Sequence, residues 1–83
     1  MKLEILTPDK IVYEGDVASV TLPGTMGSFQ ILSDHAPIIS TLEQGSITVQ
    51  STQKAIEIFS VKSGVVEVLD NKVVVLVEGL SNH

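Results

Sequence analysis

The chain is predicted to be all-β, a sandwich or small barrel, on three observations. Apolar residues recur at every second position in several short runs, the spacing of strands with one buried and one wet face. Those runs are rich in valine, isoleucine and threonine, whose branched side chains suit a pleated surface. Turn-forming residues separate them at short intervals, and no stretch sustains helical apolar spacing.

Taken in order, Leu3 and Ile5 alternate with Lys2 and Glu4, which makes a first strand. Thr7-Pro8-Asp9-Lys10 follows as a type I turn, with proline where its fixed φ fits. In DVASVTL, Ala18, Val20 and Leu22 are expected on one face and Ser19 and Thr21 on the other. Gly24-Thr25-Met26-Gly27 reads as a turn joining this strand to one opened by Ser28-Phe29-Gln30. Between Asp34 and Leu42 there is room for one helical turn. GSITVQS has the cleanest alternation, with Ile47 and Val49 opposite Ser46, Thr48 and Gln50. Gln44-Gly45 and Ser63-Gly64 punctuate the chain. Asp70-Asn71 separates GVVEVL from KVVVLVE by two residues that tolerate positive φ, a hairpin signal.

KVVVLVE departs from the alternating pattern. Val73, Val75 and Val77 share one face while Val74 and Leu76 occupy the other. Strands apolar on both faces are usually covered on both. Either neighbouring side chains shield the outer face, or that face docks on another subunit. Composition favours the second reading: the chain is 43% hydrophobic and only 18% charged, apolar for a domain with so much surface.

Eighty-three residues make one domain near the small end of what folds alone. With no cysteine, neither a disulfide nor a thiolate metal site can reinforce a small core. MKLEILTPDK meets charge and proline too early to be a signal peptide or a spanning helix. A net charge of −5 provides no basic footprint for nucleic acid, and Tyr13, Phe29 and Phe59 are too few for a base-stacking platform.

GTMGSFQILSDHAP, residues 24–37, is the stretch where chemistry would be sought. Ser33-Asp34-His35 has the residue types of a hydrolase triad, but consecutive side chains rarely converge as a triad must, and no second acid, base or oxyanion site accompanies them. No metal site is expected, because His35 and the terminal His83 are the only imidazoles. Gly24 to Gly27 lacks the lysine and helix of a phosphate loop, and the basic neighbours of a nucleic-acid clamp. Pro8-Asp9-Lys10-Ile11 resembles the acceptor turn of lipoyl and biotinyl carrier domains, with Lys10 as the modified residue. Those carriers, however, display their lysine at mid-domain between half-repeats. A free-standing β protein that self-associates through Val73–Val77 is a further alternative.

The order of features from TPDKIVYEGDVASVTLPG through GSITV is similar to the N-terminal domain of the epsilon subunit of F-type ATP synthases. Leu22-Pro23-Gly24, the Gly24-to-Gly27 turn, Phe29 to Leu32 and His35-Ala36-Pro37 follow the family's order. Leu42, Gly45 and Ser63 to Val68 fit as well. The resemblance implies a flattened β-sandwich of two five-stranded, mainly antiparallel sheets. It also implies a non-catalytic subunit of the central stalk, without cofactor or metal, that joins the gamma subunit to the membrane c-ring. Rotation driven by protons or sodium ions would thereby be coupled to ATP synthesis. The location implied is peripheral, on the cytoplasmic face of a bacterial plasma membrane, without insertion into it.

Carried over residue by residue, Met26, Gly27 and Ser28 are expected at the c-ring, and His35 and Ser40 at gamma. Two departures stand out. The family often has acidic residues in the glycine turn, where this chain has Met26 and Ser28. Many members also continue into a helical hairpin that can inhibit hydrolysis or bind ATP. The sequence here stops at Glu78 to His83, so a short form is expected and no inhibitory or nucleotide-sensing role is carried over.

Overall fold

The computed structural model describes residues 1–82; His83 lies outside the described residues. Nine strands follow one another: β1 (Lys2–Leu6), β2 (Ile11–Gly24), β3 (Gly27–Leu32), β4 (Ile38–Leu42), β5 (Gly45–Ser51), β6 (Ile56–Val61), β7 (Ser63–Leu69), β8 (Lys72–Glu78) and β9 (Ser81–Asn82). The all-β expectation holds. Asp34 to Leu42 contains no helix: Asp34 takes a left-handed φ of 63°, and Ile38–Leu42 pairs residue by residue with β7. Pro37 supplies the reason, since it biases Ala36 away from helical backbone and removes a donor.

The expected two sheets are hydrogen-bonded into one, because a single strand belongs to both. The first part of β2 pairs with β1, which pairs in parallel with β8, and β7 and β4 continue that layer. The second part of β2 pairs with β3 and β5, and β6 and β9 complete the opposite layer. Counting β2 in each layer recovers five strands per side, with β1–β8 the one parallel pairing among the described residues.

A β-bulge sits where β2 changes layers. The register against β5 jumps between Val17 and Ser19, leaving Ala18 without a cross-strand partner there. The extra residue reverses the inward–outward phase. Ala18, expected in the core, is therefore exposed; Val17 takes the inward position, and Ser19 is drawn inside next to Val20.

The core lies between the layers and is aliphatic. Leu3, Ile5, Val66, Val68, Val73 and Val75 line one inner face. Val20, Leu22, Ile31, Ile47, Val49 and Phe59 line the other. These side chains alternate along their strands, and the register keeps them on one face: Leu3 opposes Val73, Val66 opposes Val75, and Ile47 opposes Phe59. At the flank, Tyr13 meets Phe59 edge to face, with centroids 6.1 Å apart and an interplanar angle of 75°. Burial, and secondarily the Glu57 carboxylate, raise the Tyr13 hydroxyl above its usual 10.0.

The glycines at 45 and 64 do more than mark turns. Both lie within strands, and both allow close approach: a Cβ on Gly64 would stand 2.6 Å from the Leu76 carbonyl oxygen. KVVVLVE proves asymmetric. Val73, Val75 and Val77 are fully in the core, Val74 is half-buried, and Leu76 remains 49% exposed.

Candidate functional site

The glycine turn is the tip of the β2–β3 hairpin. Gly24 faces Gly27 across it, and Thr25 and Met26 form the loop. Two features make this tip stiff. Gly24 is buried so closely that a Cβ would sit 2.7 Å from both the Gly27 carbonyl oxygen and the Phe29 ring. Gly27 has φ +121°, a backbone conformation that L side chains rarely adopt. The tip is also fastened to β4: the Thr25 amide donates to the Thr41 carbonyl at 3.1 Å, and the two threonine hydroxyls meet at 2.8 Å. Met26 projects from this support 99% exposed, with Gly27 and Ser28 also open to solvent. No ionisable group lies between Thr25 and Gln30, so the tip offers a flexible thioether and a hydroxyl, suited to adaptable apolar contact.

His35 lies at the far end of the sandwich. The six residues of β3 separate it from the tip, a span of roughly 15–20 Å at strand rise. Its amide donates to the Leu32 carbonyl at 3.2 Å. Its Nδ1 lies 2.7 Å from the Ala36 carbonyl oxygen. A carbonyl only accepts, so Nδ1 carries the proton, and in the neutral ring Nε2 is left as an acceptor. Histidine here shapes its own turn and leaves one ring nitrogen as an acceptor. Ser40 is half-buried in β4, its hydroxyl donating to the Thr41 carbonyl at 3.3 Å. The five sequence-predicted residues thus do not form one pocket: Met26, Gly27 and Ser28 sit at the tip, His35 at the opposite end of β3, and Ser40 midway along β4, next to the Thr41 that holds the tip.

Asn71 positions the His35 loop and escaped sequence reasoning in that role. Asp70 and Asn71 have φ of 51° and 61°, the doubly left-handed pair of a tight hairpin. The Asn71 side chain oxygen then accepts from the Asp34 amide at 2.8 Å, and its carbonyl accepts from the Lys2 amide at 3.1 Å. One residue therefore ties the β7–β8 turn to β1 and to the loop that precedes His35. Only the turn preference is local; the bond to Asp34 depends on tertiary approach. Asn71→Ala is expected to lower the unfolding free energy by about 1–2 kcal/mol, by orphaning a donor and straining the turn. Asn71→Gly, which relieves the turn, should lose less; urea unfolding of the two variants checks the order.

In the Ser33-Asp34-His35 run, Asp34 donates its backbone amide to Asn71 and the His35 ring engages the Ala36 carbonyl. Among the described residues, no group of three His, Cys, Asp or Glu is placed to hold a metal ion. Lys10 ends the β1–β2 turn, where its amide and that of Asp9 donate to the Thr7 hydroxyl at 3.3 and 3.4 Å. Among the described residues, no helix is long and apolar enough to cross a membrane.

Residues 1–82 match the family model described as ATP synthase, Delta/Epsilon chain, beta-sandwich domain. The chain is 48% identical over 79 residues to the ATP synthase epsilon chain of Sulfurimonas denitrificans, covering 95% of this chain and 61% of that one. It is 39% identical over 80 residues to the epsilon chain of Chlorobium limicola, covering 96% of this chain and 91% of that relative. The chain therefore spans under two thirds of the first relative and nearly the whole of the second. Among solved structures, the fold matches a chain of the Euglena gracilis mitochondrial ATP synthase with a TM-score of 0.90, at 18% identity, over 96% of this chain and 51% of that one. A chain of the Tetrahymena thermophila mitochondrial ATP synthase central stalk and c-ring matches with a TM-score of 0.84, at 20% identity, over 96% and 64%. At such identities the two structures speak for the fold alone. The family match also removes the carrier reading of Lys10, which geometry alone would have left open. The chain belongs to the ATP synthase delta/epsilon family, of which it carries the β-sandwich domain.

Proposed function

We propose that the chain is a non-catalytic rotor element of an ATP synthase, joining gamma to the c-ring so that ion-driven rotation reaches the catalytic head. The observation that carries this reading is a rigid hairpin tip presenting a wholly exposed Met26, on a domain of this family. A part that transmits torque needs a stiff support under its contact residue. The buried Gly24 and the Thr25–Thr41 bonds provide one. Met26, Gly27 and Ser28 are assigned to the c-ring. His35, through its free Nε2, and Ser40 are assigned to gamma. The complex would sit at the cytoplasmic face of a bacterial membrane, held through its partners and not by insertion.

The tip lacks acidic groups, so its hold on the ring rests on packing and hydroxyl contacts and should depend weakly on salt. Ser28→Lys places a long cation at the contact without touching the core. We expect it to reduce ATP-driven ion pumping several-fold relative to ATP hydrolysis in membrane vesicles, with unchanged thermal unfolding. Equal coupling in the variant and the parent would detach the tip from the ring. The broader assignment is tested by affinity capture from a native membrane extract, in which gamma and the c-ring should co-purify; recovery of neither removes the rotor reading.

A further inference from the structure

A sheet edge with unpaired amides and carbonyls is a template for another strand, and proteins usually guard it with lysine, proline, a bulge or a very short edge strand. The edges of this sandwich differ in that respect. β4 begins directly after Pro37, and near its end Thr41 and Glu43 are bonded to Thr25 and Pro23 of the β2–β3 hairpin. β6 is covered by the two-residue β9. β3 pairs with β2 and with no other strand among the described residues. Between Gly24 and Ser33 there is neither a charged residue nor a proline, and the register of β3 on β2 runs without a bulge.

The phase of β3 determines what this edge offers. Gly24 and Gly27 flank a two-residue loop and so exchange both backbone bonds. Alternation then turns the amides and carbonyls of Phe29 and Ile31 toward β2, and those of Ser28, Gln30 and Leu32 away from it. The Leu32 carbonyl agrees with this phase, since it accepts from the His35 amide at 3.2 Å, outside the ladder. The side chains of Ser28, Gln30 and Leu32 are all exposed, Leu32 by 54%. The edge is therefore open, uncharged and flat.

We propose that β3 pairs antiparallel with β3 of a second copy of this chain, about a two-fold axis at Gln30. Two-fold pairing makes one edge complementary to itself. Gln30 meets its own equivalent, Ser28 meets Leu32, and about six backbone bonds close, the Leu32 carbonyl using its second lone pair. Charge permits this register: Asp34, the first charged residue after the strand, falls opposite the uncharged Met26 of the other copy and not opposite its own equivalent. An uncharged edge has no handle for selecting a foreign strand by charge, whereas the two-fold matches it group for group. The pair covers Met26 and Ser28, so it excludes the proposed ring contact and is a form of the chain outside the synthase. The inference does not otherwise use the rotor reading.

The contact is short and each copy carries a net charge of −5, so the dissociation constant should be on the order of 10–100 µM and fall as salt screens the repulsion. Sedimentation equilibrium of the full chain, up to about 1 mM and at about 0.05 and 0.5 M salt, measures both. Gln30→Lys and Gln30→Glu each set like charges on the axis and should weaken pairing about 10-fold or more. An equimolar mixture of the two variants should associate again, a restoration that misfolding cannot produce. Leu76→Lys, on the opposite layer, should pair as the parent does. A parent chain that stays monomeric at about 1 mM in high salt overturns the proposal. So does a dimer that survives Gln30→Lys but is lost in Leu76→Lys, or a mixture of the two Gln30 variants that fails to associate. None of these outcomes bears on the rotor reading, which stands or falls on capture of gamma and the c-ring.

Discussion

Phe59→Ala is expected to lower the unfolding free energy by about 3–5 kcal/mol, the range for removing a buried ring from a core that cannot collapse around the void. Three observations place this site at the severe end. Phe59 is the largest side chain in the fully buried set, so the void is the biggest that any single truncation there can leave. It packs edge to face on Tyr13, an interaction worth about 0.5–1.5 kcal/mol beyond burial. Its backbone is paired on both sides, with Ile47 of β5 and with Asn82 of β9, which restrains it from closing in on the void. A domain this small has about 5 kcal/mol to lose, so the isolated variant should keep no more than about 2 kcal/mol and sit at the edge of unfolding. Guanidinium titration followed by circular dichroism gives the measurement. A loss below about 1.5 kcal/mol would mean that Tyr13 swings into the vacated volume. Tyr13→Phe separates the two outcomes, since it keeps the ring contact and removes only the hydroxyl.

Where function depends on local pattern, this chain is legible from sequence. Alternation placed Ile47 and Val49 inside and Thr48 and Gln50 outside, and the Asp70-Asn71 turn adopts the left-handed pair its residues favour. The glycine turn was readable too, because only a backbone needing close approach and positive φ calls for Gly24 and Gly27 together. Ala18 failed because a bulge reverses strand phase without a glycine or proline to announce it. The Asp34 segment failed because five residues of strand were stabilised by pairing with β7, far along the chain, and not by their own preferences. Asn71 as an organiser of the His35 loop belongs to the same class. Each arises from strands brought together by topology, and no window of sequence contains both partners.

Gly24→Ala should separate the shape of the hairpin tip from its chemistry. The added methyl would lie 2.7 Å from the Gly27 carbonyl oxygen and 2.7 Å from the Phe29 ring. The ring can rotate, but the carbonyl is backbone and belongs to the turn itself, so the two strands must part at the tip. Overpacking of this kind costs about 1–3 kcal/mol. The displacement falls where Thr25 is bonded to Thr41, so those two bonds should weaken together. Amide exchange at Thr25 and Phe29 is expected to accelerate strongly while that of Val66 and Val75, in the opposite layer, changes far less. If the tip is the ring contact, Gly24→Ala should impair retention of the c-ring in the purified complex by about 10-fold. Met26→Ala, which removes the exposed side chain but leaves the turn intact, should impair it less. Parent-like retention by Gly24→Ala would mean that the stiffness of the hairpin contributes nothing to coupling. Loss in Met26→Ala alone would assign the contact to the Met26 side chain. A larger loss in Gly24→Ala than in Met26→Ala, with shape mattering more than the side chain it presents, is what a torque-bearing tip without charge requires.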